Sequence, residues 1–521
     1  MKKKIVIYDL RGKREKEILH IPLRFILAMM LILAETLAVL GIVIWCAIHI
    51  PYFYLAMALT HFVCVLLIIN SQENPEYKIP WLMFVLLVPV AGFMIYFMFY
   101  DRKLSKKYAK RLIKITEEEV NTKDEGVLEQ LQKEDNRAYM QARLLCKMSG
   151  THVYRNTKAK YFDMGEKMHV SMLEDLKKAK KFIFLEYFII EEGKFWNSIL
   201  EILKEKAAQG VDVRVVYDDI GCMCTLPGNY YKVLKGYGIK AVPFAKLRGQ
   251  ANNEFNNRSH RKIMVIDGEV GYTGGVNIAD EYINEIHLYG LWKDVGIRLE
   301  GEAVVQLTSI FLSDYEMNVR TPVAEFAPYF WNVASVADEG YVIPFRDGPA
   351  PLYKQRVAKV MIMNMLSEAE RYVYMMTPYL IVDNELCQAI ENAALRGVDV
   401  RIITPHIPDK KLVFTMTRSH YKRLMDAGAR IYEFEPGFVH AKVYMSDDKC
   451  AIVGTVNLDY RSLVHHFENG VWLYKHDVLT EIKEDLNGTM EQSIEIKEGY
   501  IKETLLQKLI RALVRIFSPM L

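Results

Sequence analysis

Two stretches of this sequence place a histidine, a lysine and an aspartate at one repeated spacing. The first runs from 257 to 277 (NRSHRKIMVIDGEVGYTGGVN) and the second from 439 to 457 (VHAKVYMSDDKCAIVGTVN). The repeated residues are His260, Lys262 and Asp267 in the first stretch, and His440, Lys442 and Asp447 in the second. An imidazole that attacks or donates a proton, beside an ammonium, suits chemistry on an anionic phosphoryl group. The sequence therefore predicts a phosphoryl-transfer site built from two copies of one motif.

The side chains of each stretch divide between two faces if the stretch is a β-strand. Alternate residues of a strand share a face, so His260 and Lys262 point the same way. Asp267 has the opposite parity and directly precedes Gly268. We include Asp267 and Asp447 in the catalytic motif, but interpret them as turn residues that hold the end of the strand.

An asparagine follows each glycine-rich turn. Asn277 and Asn457 each lie 17 residues after the motif histidine (277 − 260 and 457 − 440). Each offers an amide where the backbone approaches a phosphate, so we predict that both support the site. A metal ion fits the motif badly, because the lysine would repel the cation that the histidine was meant to bind. We therefore predict no metal and no cofactor.

A single HxK pattern on a strand is commonly a packed histidine beside a lysine whose stem lies on apolar surface. Two copies with one spacing favour a catalytic role instead. They resemble the paired HKD motifs of the phospholipase D superfamily, and the resemblance extends from about Lys158 to the C-terminus. It implies that both motifs meet at one active site between two similar halves. One histidine is then the nucleophile that forms a phosphohistidine, and the other is the general acid.

Two carboxylates are candidates to orient the imidazoles. Glu468 lies in the sequence HHFENG and Asp294 in the sequence WKD. A histidine that must keep one tautomer needs a partner for its second nitrogen. Glu468 resembles the second-half carboxylate that supports a catalytic histidine in this superfamily. The WKD segment that contains Asp294 resembles the corresponding first-half segment of cardiolipin synthases. The alternative is a pair of surface acids near turns, since most Asp and Glu are exposed.

The two motifs lie in halves that repeat one order of elements: an apolar strand, a helical stretch and the segment Gly-Val-Asp-Val-Arg. The matching segments are 182 to 190, 196 to 209 and 210 to 214 in the first half, and 372 to 381, 384 to 396 and 397 to 401 in the second. Strands that alternate with helices predict an α/β fold, with a mixed or parallel sheet flanked by helices in each half. Duplication of a whole domain explains a repeat of this length.

The composition predicts that part of the chain lies in a membrane. The chain has 521 residues, enough for two or three domains, and its 51% hydrophobic content is high for a wholly soluble protein. Three apolar runs, 25 to 50, 52 to 69 and 79 to 100, are each near the roughly 20 residues that cross a hydrocarbon core. The first is too long for a cleaved signal peptide. We therefore predict N-terminal transmembrane helices and a multi-pass protein of the cell membrane.

Charge and cysteine content exclude some classes of function. The net charge is only +3, so we expect no nucleic-acid partner. The seven cysteines show no zinc pattern, and we expect them to be reduced. Basic clusters flank the apolar runs at both ends, which the positive-inside rule cannot satisfy across three spans. Either one run does not cross, or one basic flank lies outside.

Further segments narrow the resemblance to bacterial cardiolipin synthases. The apolar phrase from 81 to 99 resembles their N-terminal membrane hairpin, and the ending FSPML resembles their SPLL-like end. One departure is Asp347-Gly348-Pro349, where that family commonly has Ser-Gly-Pro. The amphipathic stretch from 500 to 521 lies either on a membrane surface or against the catalytic domain.

The predicted segments are a membrane anchor at 1–101, a charged helical connector at 102–150, a first phospholipase D-like half at 151–325, a second at 326–478 and a C-terminal amphipathic helical segment at 479–521. We interpret the connector as solvated rather than bound to anionic head groups, because acidic residues follow its basic start.

The resemblance implies a cardiolipin synthase that transfers a phosphatidyl group from one phosphatidylglycerol to another and releases glycerol. Its partners would be phosphatidylglycerol and other anionic membrane lipids. The residues leave open a phospholipase D-type hydrolase, in which water is the acceptor, and a non-catalytic lipid-binding scaffold. Two complete motifs argue against the scaffold. The residues also leave open whether the protein forms a homo-oligomer.

Overall fold

The computed structural model describes most of both halves and parts of the N-terminal region. The described residues are 6–8, 14–17, 23–50, 52–71, 74–87, 126–246, 256–319, 328–330, 336–350, 352–353 and 355–501, with the single residues 92, 96, 110, 511, 514 and 515.

The N-terminal region contains a short antiparallel hairpin and three helices. These elements are β1 (Val6–Tyr8), β2 (Arg14–Glu17), α1 (Leu23–His49), α2 (Phe53–Asn70) and α3 (Pro75–Leu87). α2 and α3 pack together through buried Cys64, Ile68, Trp81 and Val85. By length and apolar character, no helix in the described part of the chain qualifies to cross a membrane. The predicted transmembrane helices stay a prediction.

The first half is built around a seven-stranded sheet with the order β3-β10-β8-β7-β4-β5-β6. The elements of this part of the chain are α4 (Val127–Glu134), α5 (Asn136–Ser149), β3 (Thr157–Phe162), α6 (Gly165–Lys178), β4 (Phe182–Tyr187), α7 (Lys194–Ala208), β5 (Asp212–Asp218), α8 (Tyr230–Gly236), β6 (Lys240–Phe244), β7 (Lys262–Ile266), β8 (Val270–Gly274), β9 (Leu291–Lys293), β10 (Gly296–Gly301) and α9 (Val304–Val319). β4, β5 and β6 are parallel, and the other neighbours are antiparallel. All six residues of β4 are buried, as expected for a strand covered on both faces.

The second half has an eight-stranded sheet with the order β11-β18-β17-β16-β12-β13-β14-β19. Its elements are β11 (Tyr341–Asp347), α10 (Val357–Glu368), β12 (Tyr372–Met376), α11 (Asn384–Leu395), β13 (Asp399–Pro405), α12 (Lys411–Asp426), β14 (Arg430–Phe434), β15 (Gly437–Val439), β16 (Val443–Ser446), β17 (Cys450–Gly454), β18 (Glu468–Tyr474), α13 (Val478–Glu491) and β19 (Ser493–Glu495). The order repeats that of the first sheet with β19 added at one edge. The predicted α/β fold with two similar halves and mixed sheets is confirmed.

The two sheets share one apolar core. Phe184 and Ile263 of the first sheet belong to the same buried cluster as Met445 and Val471 of the second, together with α9 and α13. α6 and α7 cover the outer face of the first sheet, and α10, α11 and α12 cover the outer face of the second. This shared layer fixes how the two motif strands face each other.

The segments on either side of the halves also contact the second half. Ala138, Ala142 and Leu145 of α5 are buried in its core, so this part of the predicted connector is not solvated. Most of 101–125 lies outside the described residues. In the C-terminal segment, Ile501 and Val514 pack against the same core. The rest of 502–521 lies outside the described residues, apart from 511 and 515.

Candidate active site

Each motif histidine lies where its half meets the other half. His260 lies two residues before the start of β7, and its backbone N–H donates to the carbonyl of Phe467 at 2.9 Å. His440 precedes β16, and its backbone N–H donates to the carbonyl of Lys293 at 2.7 Å. Short cross-half pairing surrounds both contacts, since Ser259 bridges to Phe467 and β15 pairs in parallel with β9. The backbone of one half therefore holds the histidine of the other.

The carboxylates reach the histidines in the same crosswise manner. Nδ1 of His260 lies 2.9 and 3.0 Å from the two carboxylate oxygens of Glu468, which belongs to the second half. Nδ1 of His440 lies 2.6 Å from Oδ2 of Asp294, which belongs to the first half. With Nδ1 donating its proton to the carboxylate, Nε2 of each ring is left to hold either a lone pair for attack or a second proton for transfer.

Each carboxylate is buried and held in place by further donors. Glu468 accepts hydrogen bonds from the hydroxyls of Thr455 and Ser462, the second at 2.5 Å. Asp294 accepts the backbone N–H of Val295 at 2.8 Å. At position 275 a glycine is required, because a Cβ there would overlap Oδ1 of Asp294 and lie 2.9 Å from the carbonyl oxygen of His440. Gly275 thus makes room for the short carboxylate.

The two motif lysines are completely buried beside the histidines. Lys262 donates to the carbonyl of His260 at 2.6 Å, and Lys442 donates to the carbonyl of His440. The ammonium of Lys442 also lies 2.8 Å from Nδ1 of His440. That nitrogen cannot accept from Lys442 while it donates to Asp294, and the carboxylate is both closer and negatively charged. We therefore assign the Nδ1 proton to the Asp294 contact.

Burial shifts the pKa of every charged group in the site. It raises the pKa of both Glu468 and Asp294 to about 7. It lowers the pKa of His260 and His440 well below its usual range, and the neighbouring ammonium groups lower it further. It also lowers the pKa of Lys442 to about 8. Lys442, Glu468 and Asp294 therefore change charge close to neutral pH.

The two motif aspartates hold turns at the far ends of their strands. Their φ angles are positive, 54° for Asp267 and 57° for Asp447, and each carboxylate accepts three backbone N–H groups at 2.7 to 2.9 Å. The donors are Lys180, Lys181 and Phe182 for Asp267, and Glu370, Arg371 and Tyr372 for Asp447. Asp267 lies seven residues after His260, and the extended chain that contains β7 separates the two by roughly 20 Å. The contacts of the Asp267 carboxylate are therefore to the fold at the far end of the strand.

The two asparagines hold the turns beside the site. Asn277 donates to the hydroxyl of Tyr282 at 2.8 Å and accepts the backbone N–H of Ile189 at 3.1 Å. Asn457 donates to Oδ2 of Asp459 at 3.1 Å. Its buried Oδ1 has no hydrogen-bond partner among the described residues. The two copies of the motif are therefore not equivalent at this position.

A family model described as "Cardiolipin synthase, PLD-like domain" matches residues 172–306 and 362–490, which contain both motifs. The chain belongs to this family. A second model, "Phospholipase_D-nuclease N-terminal", matches residues 61–99. The predicted resemblance to bacterial cardiolipin synthases is confirmed, and the protein is an enzyme of the phospholipase D superfamily.

Individual relatives agree with the family models. A cardiolipin synthase of Halalkalibacterium halodurans is 32% identical over 463 residues, which cover 88% of this chain and 91% of the relative. An uncharacterised protein of Streptococcus mutans is 43% identical over 463 residues, covering 88% and 99%. The crystal structure of phosphatidylserine synthase from Haemophilus influenzae has the same fold, with a TM-score of 0.56 and 16% identity over 73% of this chain and 98% of that one.

Sequence reasoning missed several side chains that surround the histidines in this family member. The rings of Phe188 and His466 lie 5.1 and 5.5 Å from the ring of His260, centroid to centroid. The rings of Tyr282 and Trp292 lie 5.3 and 5.6 Å from the ring of His440. His466 stands two residues before Glu468, so its place next to the predicted carboxylate was the available signal.

One group of side chains in the described part of the chain has the composition of a metal site. His260, His466 and Glu468 each offer a ligand atom within 4.8 Å of the others. Burial lowers the pKa of both histidines, and the ammonium of Lys262 lowers it further. The same ammonium would repel a cation, and Glu468 already binds Nδ1 of His260. The group is better suited to moving protons than to holding a metal.

Proposed function

We propose that the protein is a cardiolipin synthase, which transfers a phosphatidyl group from one phosphatidylglycerol to another and releases glycerol. One observation carries the proposal: two imidazoles, each oriented by a carboxylate from the opposite half, stand with two buried ammonium groups in one site. A transfer through a covalent intermediate needs a nucleophile, an acid that becomes a base, and positive charge on the phosphoryl oxygens. A non-catalytic lipid-binding scaffold would need none of these.

In the first step, Nε2 of His260 attacks the phosphorus of the donor lipid. A nitrogen–phosphorus bond forms, and the bond from phosphorus to the glycerol oxygen breaks. The His440–Asp294 pair enters this step with one proton more than the His260–Glu468 pair. His440 gives that extra proton from Nε2 to the oxygen, and glycerol leaves. Lys262 and Lys442 stabilise the negative charge that develops on the phosphoryl oxygens.

In the second step, the terminal hydroxyl of a second phosphatidylglycerol takes the place of glycerol. His440 removes its proton, since an acid in the first step must be the base in the second. The oxygen attacks the phosphohistidine, the nitrogen–phosphorus bond breaks, and cardiolipin leaves. Two phosphatidylglycerol molecules thus give one cardiolipin and one glycerol.

Product analysis tests the proposal. Purified full-length protein is incubated with vesicles of phosphatidylglycerol, and the lipids are identified by mass spectrometry. We expect cardiolipin and glycerol in equal amounts, and no product from the His260→Ala variant. Phosphatidic acid as the main product would instead establish a phospholipase D-type hydrolase at the same site.

We further propose that residues 1–101 anchor the enzyme in the cell membrane as a multi-pass segment. Large apolar side chains of α1 and α2 are exposed, including Ile42 at 62%, Ile48 at 72% and Leu55 at 69%. A contiguous apolar surface of this kind is typical of a membrane interaction site. Retention of the full-length protein in the membrane pellet after an alkaline carbonate wash would agree with the proposal, and release into the supernatant would contradict it.

The domain division predicted above is part of the same proposal, with one adjustment. Residues 151–325 and 326–478 form the two phospholipase D-like halves, and 102–150 connects them to the anchor. Because β19 pairs with β14, we assign the beginning of the C-terminal segment 479–521 to the second half.

A further inference from the structure

Two polar side chains stand together at the carboxyl ends of neighbouring strands in the second half. Tyr379 follows β12, and Asp409 follows β13. These strands are parallel, so their carboxyl ends meet at one edge of the sheet, where α/β folds bind ligands. The hydroxyl of Tyr379 donates to Oδ2 of Asp409 at 2.6 Å. The pair is built by two loops and is only partly buried.

This pair lies next to His440. β12 and β16 are antiparallel with Met376 opposite Val443, so Tyr379 and His440 each lie three residues beyond this last pair, at the same end of the two strands. The ring of Phe438 lies 6.5 Å from the ring of Tyr379 and 6.1 Å from that of His440. The Tyr379 ring also packs against the buried cluster that contains Trp292 of the first half and Phe438 of the second, so it lies at the boundary between the halves.

One carboxylate oxygen of Asp409 is available to accept a hydrogen bond from a ligand. The hydrogen bond to Tyr379 uses Oδ2, and within the described residues the structure gives Oδ1 no partner. Burial lowers the pKa of Lys442, and Asp409 is one of the carboxylates that oppose this effect. Asp409 therefore interacts electrostatically with Lys442 in the site, and its own side chain is only partly buried.

The first half has no such pair beside His260. Tyr187 is opposite Lys262, so Ile189 and His260 each lie two residues beyond this last pair, at the same end of the two strands. The offset of 187 between Gly210 and Gly397 puts Cys222 at the position of Asp409, and Cys222 is buried. At these two corresponding positions the His260 side has an isoleucine and a cysteine, where the His440 side has a hydroxyl and a carboxylate.

We infer that Tyr379 and Asp409 form a subsite for a glycerol head group on the His440 side of the site. The inference rests on the proposed function, in which glycerol leaves from His440 and a second glycerol head group enters there. The hydroxyl adjacent to the reacting oxygen would donate to Oδ1 of Asp409. A water molecule has no second hydroxyl in that position, so the subsite favours transfer to a glycerol-bearing lipid over hydrolysis.

Glycerol exchange tests the subsite directly. Full-length protein is incubated with phosphatidylglycerol and free deuterated glycerol, and deuterated phosphatidylglycerol, cardiolipin and phosphatidic acid are quantified. We expect the Asp409→Asn variant to raise the KM for glycerol by about tenfold to a hundredfold, the range for losing a hydrogen bond to a charged group. Tyr379→Phe keeps the ring and should give a smaller change in the same direction. Both variants should increase the share of phosphatidic acid.

Glu435→Gln is the matched control, since it removes one exposed carboxylate from the same half. Wild-type values of the glycerol KM and of the product ratio in both Asp409→Asn and Tyr379→Phe would overturn the subsite while leaving the proposed function intact. A wild-type protein that formed only phosphatidic acid, with no deuterium in phosphatidylglycerol, would overturn the proposed function and the subsite together.

Discussion

The smallest unit of this site is an imidazole and a carboxylate that share one proton. Burial raises the pKa of Glu468 and Asp294 to about 7 and lowers the pKa of their imidazole partners. Each pair titrates as a unit rather than as two separate groups. A pair that gains or loses a proton near neutral pH is suited to act as acid in one step and base in the next.

The pH dependence of turnover follows from these shifts. The carboxylates are ionised above about pH 7, so turnover should rise as pH increases through that value. Lys442 is charged below about pH 8, so turnover should fall as pH increases beyond it. A profile of kcat/KM from acidic to alkaline pH should therefore be bell-shaped, with its maximum between these values. In Lys442→Arg the charge is permanent, and the alkaline limb should move upward. An unchanged alkaline limb in that variant would show that another group titrates there.

The division of labour between the histidines is a second prediction at this scale. We expect His440→Asn to accumulate a phosphatidyl adduct on His260 when the donor carries a leaving group that needs no proton, such as a nitrophenolate. His260→Ala lacks the nucleophile and should form no adduct. Intact-protein mass spectrometry followed by peptide mapping measures both. An adduct on His440 in the His260→Ala protein would reverse the assignment.

Residue types and spacing were enough to select both motifs and both carboxylates as candidates, because parity on a strand and proximity to a motif are local properties. The crosswise pairing was not predictable. Glu468 lies 208 residues from His260, and Asp294 lies 146 residues from His440. Contacts between residues so far apart in the sequence depend on how the two sheets pack against each other. Local periodicity carries no information about that packing. His466 was missed for the same reason, since its place beside the His260 ring depends on the other half.

At the scale of secondary structure, the motif aspartates tie each motif strand to its neighbour. Asp267 fixes the end of β7 to the start of β4, and Asp447 fixes the end of β16 to the start of β12. These two pairs of strands carry the histidines at their opposite ends. The carboxylate of each motif aspartate thus holds the register on which the position of the histidine depends.

We predict that Asp447→Ala lowers stability rather than the chemical rate. Three backbone N–H groups would lose their acceptor, which should reduce the free energy of unfolding by about 2 to 4 kcal/mol. Asp447→Asn keeps one acceptor oxygen and should lose about half as much. Urea unfolding measures the change, and kcat per folded molecule should stay within a few fold of wild type. A loss of kcat as large as that of Lys442→Ala in a folded Asp447→Asn protein would assign the aspartate to catalysis.

The apolar runs predicted the main strands and helices, although two strands end earlier than expected. β4 ends at Tyr187 and β12 at Met376, because the chain leaves the sheet there to approach the cleft and makes isolated bridges at Ile190 and Leu380. β9 and β15 have three residues each and pair only with the other half. Strands this short carry too little periodicity to be predicted from sequence.

At the scale of the whole molecule, two sheets that repeat one strand order share a central core. Each half contributes one histidine and the carboxylate for the other histidine. Neither half contains a complete imidazole–carboxylate pair. The active site is therefore a property of the assembled chain, and the apolar layer between the sheets is what assembles it.

This architecture predicts that inactive variants cannot rescue each other. Both halves of one chain are joined through the shared core, so each site should be formed within a single molecule. Co-expression of His260→Ala with His440→Ala should give only the sum of their separate residual activities, measured as cardiolipin formed per milligram of purified protein. If the halves instead exchanged between two copies, mixed dimers would contain one intact site, and a 1:1 mixture would regain about a quarter of wild-type activity. Recovery at that level would show that the site is built from two chains, whereas its absence, with both variants folded and expressed equally, would place the complete site within one chain.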